Sequence, residues 1–78
     1  MREALKIARV AARKSQQQVA DESRIERSLY NKIERGNVKN VSYTTAVLIA
    51  NSVHANPDDI FLPSDVINYH NMDRGGAA

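Results

Sequence analysis

Cysteine is absent from the 78 residues. Disulfides and thiolate metal sites are therefore excluded, and no redox clue to compartment remains. A chain this short buries a smaller share of its surface than a large protein, so its core is thin. Packed helices, reinforced by a second copy, are the remaining means of stabilising it. Long apolar runs are missing too: none approaches the roughly 20 residues that a bilayer span requires. The opening Met1-Arg2-Glu3-Ala4-Leu5-Lys6-Ile7 has no signal-peptide apolar stretch, so a soluble cytoplasmic protein is expected. Glycine amounts to three residues and forms no phosphate-cradling loop. His54 and His70 are the only histidines, and neither stands at metal-ligand spacing from another ligand. Neither catalysis nor a cofactor is expected.

Charge of one sign is scarce in each half rather than in the whole. The net charge is only +2, but residues 1–39 hold ten basic groups against five acidic ones. Residues 40–78 hold a single arginine, Arg74, against four aspartates. The first half is thus +5 and the second −3, so a polyanion meets the first half and is repelled by the second.

Helical spacing dominates what is present, and alternating strand patterns are hard to find. Residues 2–13 read as a first helix with Leu5, Ala8 and Ala12 on one stripe. Ser15 and Gln18 make a capping-box pattern that opens a second helix, ending near Ser23. A third helix runs from Glu26 or Arg27 to Arg35, with Tyr30 and Ile33 buried and Gly36 closing it. Ser42 caps a fourth, whose apolar face is Tyr43, Ala46, Val47, Ala50 and Val53, while Leu48 points away. Asn56-Pro57-Asp58-Asp59 restarts the chain as a helix cap, with Pro at the first helical position and two carboxylates at the positive end of the dipole. Ile60, Phe61 and Leu62 fold back as an apolar lid, and Pro63 stops that element. Residues 64–69 form a short helix or a partner arm, and residues 73–78 a loose end.

Two short helices separated by a tight turn describe a helix-turn-helix. Ala20 lets the helices approach, and Val19, Ile25, Tyr30 and Ile33 fill the angle between them. The second of the pair then exposes Arg27, Ser28, Asn31 and Lys32, side chains able to donate to base edges or phosphate oxygens.

The stretch from Ser15-Gln16-Gln17-Gln18-Val19-Ala20 through Ile33-Glu34-Arg35-Gly36 resembles the phage-repressor and Cro type of helix-turn-helix, the XRE family. The resemblance covers roughly residues 3–62. It implies an all-α, compact five-helix, lambda-repressor-like domain over residues 1–62, followed by a tail over 63–78. It also implies contacts to double-stranded DNA. Gln16, with Gln17 beside it, matches the position that grips a phosphate. Arg27 and Ser28 match the start of the recognition helix, where base edges are met, and Asn31 and Lys32 follow one turn on. Arg35, Asn37 and Lys39 match the loop that touches the DNA backbone. Glu34 resembles the acid that pairs with an arginine of the first helix, here Arg9. The chain departs from the pattern at Ser23-Arg24, where the family carries glycine. Arg24 therefore takes a left-handed conformation or the turn has another shape. Lys14 replaces an apolar residue and adds charge beside the DNA-facing side.

One recognition helix covers only a few base pairs, so a homodimer on a palindromic operator is the expected assembly. Phe61, Leu62, Val66, Ile67 and Tyr69 offer the apolar area for that interface. The functional reading is a transcriptional repressor of phage or mobile-element type. The alternative is an antitoxin or a restriction-system controller of the same fold, which also binds a protein partner.

Overall fold

The computed structural model describes residues 1–67. Five helices follow one another: α1 (Glu3–Ala11), α2 (Gln16–Glu22), α3 (Arg27–Arg35), α4 (Tyr43–Ser52) and α5 (Pro57–Ile60). Between α3 and α4 lies a two-residue strand, β1 (Val41–Ser42). After α5 come a 3-10 turn (Pro63–Asp65) and a second strand, β2 (Val66–Ile67). The strands pair in parallel, Val41 with Val66 and Ser42 with Ile67. Tyr69, named above for a dimer contact, and the end of the chain from Asp73 lie outside the described residues.

The core forms where α2, α3 and α4 meet beneath α1. Leu5, Val19, Ala20, Tyr30, Ala46, Ile49 and Ala50 are fully buried in one cluster with Ile33, Val53 and Phe61. The face expected of α4 is partly right: Ala46, Ala50 and Val53 are buried, while Tyr43 and Val47 are half-buried. Ile49 is the deeper residue, and Leu48 is half-buried rather than exposed. Helix α4 touches α2, α5 and both strands, so it has no single buried stripe.

Four helix ends close in the same way. Gly36 closes α3 with φ +83°, as its sequence position predicts. Arg13, Arg24 and His54 sit in the same left-handed region with φ of 59°, 61° and 59°. At each, two backbone amides turn back onto the preceding helix. For α2 these are Arg24 N to Asp21 O at 3.2 Å and Ile25 N to Ala20 O at 3.0 Å. Lys14 to Arg9 and Ala55 to Ala50 repeat the longer bond behind α1 and α4. This is the Schellman closure, normally made with glycine. The three substitutes are Arg, Arg and His, and the two arginines are cations, which interact favourably with the dipole at a helix C-terminus.

The segment after α5 departs from its sequence expectation. Residues 63–65 form a single 3-10 turn, and residues 66 and 67 a strand that pairs with β1, so this stretch packs on the domain rather than standing free of it. Phe61 is 2% exposed and Val66 7%, which places both in the core of the single chain and removes them from any partner surface. Phe61 and Leu62 are extended residues whose side chains point to opposite sides, so one is buried while Leu62 stays 65% exposed. Ile67 alternates with Val66 in the same way and is 49% exposed. Asn56 occupies the cap position of α5 but makes no side-chain cap bond.

Candidate nucleic-acid interface

Helix α2 begins as its sequence dictates. Ser15 Oγ accepts from Gln18 N at 3.1 Å, and Gln18 Oε1 accepts from Ser15 N at 2.8 Å. The chain then turns through Ser23 and the left-handed Arg24, with Ile25 packed against the core, and re-enters helix α3 at Arg27. Arg24 thus takes the first of the two conformations open to it. At the far end of α3, Gly36 is favoured by its backbone conformation and stands in a tight space. Its φ suits glycine, and a Cβ there would stand 3.3 Å from the Met1 nitrogen.

Under the helix pair lies the carboxylate of Glu34, only 2% exposed. Oε1 accepts from Arg9 Nε at 2.8 Å and from the Tyr30 hydroxyl at 2.8 Å. Oε2 accepts from Gln16 Nε2 at 3.0 Å and from Arg9 Nη2 at 3.3 Å. Gln16 Oε1 in turn accepts from Asn31 Nδ2 at 3.1 Å. Burial pushes the Glu34 pKa upward, but hydrogen bonds from Arg9, Gln16 and Tyr30 outweigh it and hold the group below its ordinary value. The hydrogen bond to Glu34 raises Arg9. Burial, then the bond to Glu34, raises Tyr30. The pair is ionised, and it fixes α1, α2 and α3 to one another.

Above this network α3 presents Arg27, Ser28 and Lys32, all exposed, and Arg35, Asn37 and Lys39 continue the exposed row past Gly36. At 100° per residue, Arg27, Asn31 and Arg35 form one edge of the face and Ser28 and Lys32 the other, opposite buried Tyr30 and Ile33. The side chains of Arg27, Lys32, Arg35 and Lys39 make no hydrogen bond or ion pair among the described residues. Their charges are therefore available to an anion. Gln17 is exposed, and its Nε2 donates to Asp21 at 2.8 Å.

Three residues stand differently from their sequence expectation. Gln16 and Asn31 are half-buried and bonded to each other, so each brings to DNA only the hydrogen-bonding capacity the network leaves over. Lys14 does not add charge to this face. Its Nζ binds Glu22 Oε1 and the Ser52 carbonyl, both at 2.7 Å, and ties α2 to the end of α4. Sequence reasoning missed Arg2 altogether. Its guanidinium donates to the carbonyls of Ile33, Val38 and Lys39 beneath the same loop. A lone arginine at the head of a basic helix carries no signal for such contacts.

No helix among the described residues is long and apolar enough to cross a membrane. No curated protein and no solved structure matches the chain. A family described as helix-turn-helix matches residues 5–60, which contain the whole α2-turn-α3 unit and its Glu34 network. The chain belongs to that family, the XRE type of helix-turn-helix, and is a DNA-binding transcription regulator.

Proposed function

We propose that the protein is a sequence-specific repressor of phage or mobile-element type, acting as a homodimer on a palindromic operator. Helix α3 enters the major groove, which admits one helix. Arg27 and Ser28 at its start, and Lys32 one turn on, meet base edges. Asn31 joins them with the amide hydrogen and the oxygen that Gln16 does not use. Gln16, Gln17, Arg35, Asn37 and Lys39 hold phosphates on either side. The observation that carries this reading is the exposed cationic row from Arg27 to Lys39, set on a helix pinned from below through Glu34.

Repression follows when a bound dimer occludes polymerase. The dimer contact is assigned to exposed Leu62 and Ile67 beside the strand pair, together with Tyr69. Selection of bound sites from random DNA tests the proposal. It is expected to return an inverted repeat whose half-sites lie about one helical turn, roughly 10 base pairs, apart. Recovery of a single asymmetric site would contradict the dimer, and recovery of no motif would contradict sequence-specific regulation.

A further inference from the structure

Arg2 precedes the residues matched by the family, so membership assigns it nothing. Its side chain is only 9% exposed and lies beneath the loop that follows α3. Nη1 donates to Ile33 O, at the end of α3, and to Val38 O at 2.9 Å. Nη2 donates to Lys39 O at 2.7 Å and lies 3.8 Å from Asp65 Oδ2. The guanidinium stands over the Phe61 ring, 5.2 Å from its centroid. The Arg2 backbone amide adds a bond to Glu34 O at 2.8 Å.

The peptides on both sides of Lys39 are thus held by one planar group. Each peptide is rigid, so fixing both carbonyls fixes the direction in which the Lys39 side chain leaves the backbone. Only a forked guanidinium supplies three such bonds at set angles; an ammonium is a point donor on a flexible stem. Arg2 itself is too covered to serve as a phosphate ligand.

We infer that Arg2 is a positioning residue for the grip on the DNA backbone, holding the end of α3 and residues 36–39 in their binding arrangement before DNA arrives. The inference rests on the DNA reading of that loop proposed above. Preorganisation of this kind removes an ordering cost from binding. Asp65 and Phe61 steady the guanidinium from the far side. The segment after α5 therefore reaches residues 36–39 through this side chain, and reaches the end of the loop through Asn40 Nδ2, which donates to Ser64 O at 3.2 Å.

The test compares wild type, Arg2→Lys, Lys39→Ala and the double variant, titrated with duplex DNA at several salt concentrations. Circular dichroism confirms that each is folded at the temperature used. Arg2→Lys is expected to weaken binding to all duplexes roughly tenfold and to flatten the plot of log K against log salt by about one unit. In the Lys39→Ala background its effect is expected to shrink, because the two act through one contact. Asp65→Asn, a milder second variant, is expected to flatten the slope by less. A purely structural Arg2 would lower the melting temperature yet leave the slope and affinity of the folded protein unchanged, and that result overturns the inference. Full additivity of Arg2→Lys and Lys39→Ala overturns it as well. A Lys39→Ala variant that keeps the wild-type slope would instead remove the phosphate role of the loop, and the inference with it.

Discussion

Arg9 and Glu34 are 25 residues apart, yet Arg9 Nε lies 2.8 Å from Glu34 Oε1, and this contact joins the first helix to the recognition helix. The carboxylate also takes Gln16 and Tyr30, so it reaches the opening of α2 as well. Truncating Arg9 leaves that buried charge without its counterion. Arg9→Ala is therefore expected to destabilise the fold by about 3 kcal/mol, seen as a lower urea midpoint at unchanged slope. A loss below about 1 kcal/mol would mean that the pair is only a surface contact.

The same pair sets an acid limit. Glu34 has a folded pKa below its ordinary value of 4.5, so near that pH the unfolded chain binds the proton more readily than the folded one. Stability from this group is complete above pH 4.5 and is lost as the pH falls through the lower folded value. Glu22, lowered by Lys14 and Ser52, acts in the same direction. Melting temperature followed downward from pH 6 is expected to hold until near pH 4.5 and then fall. In Glu34→Gln the fall is expected to be shallower.

Arg24 holds a left-handed conformation that costs a side-chain-bearing residue roughly 1 kcal/mol. Arg24→Gly removes that strain, although glycine returns part of the gain as extra freedom of the unfolded chain. The variant is expected to be more stable by up to about 1 kcal/mol, measured by urea unfolding. A loss of stability would show that the Arg24 side chain contributes more than its backbone costs.

Lys39→Ala is expected to weaken binding to every duplex and to reduce the salt slope by about one unit, because one phosphate contact is lost. Sequence preference, read as the ratio of operator to random-duplex affinity, is expected to stay unchanged.

Much of this interface can be read from residue types. Ser15 and Gln18 announce the start of α2, because a capping box needs those side chains at that spacing. Gly36 announces the end of α3. The Arg9 and Glu34 pairing comes with the family resemblance. The left-handed closures at Arg13 and His54 are not legible, since neither is glycine or asparagine, the residues that usually close a helix in this way. The strand pair was not legible either: two residues per strand are too few to show alternation. Ile60-Phe61-Leu62 is apolar throughout, so its sequence alone does not say which member faces inward. Arg2 was invisible for another reason: its partners are backbone carbonyls 31 to 37 residues away, and carbonyls are present at every position.

The central claim is that α3 reads bases with Arg27 in the lead. Its most direct test is the affinity of wild type and Arg27→Ala for a selected operator and for variants carrying each base at each half-site position. Arg27→Ala is predicted to lose roughly 1–3 kcal/mol on the operator and to lose its preference at one base position while keeping the others. Operator binding as tight as that of wild type, with every base preference intact, would contradict it.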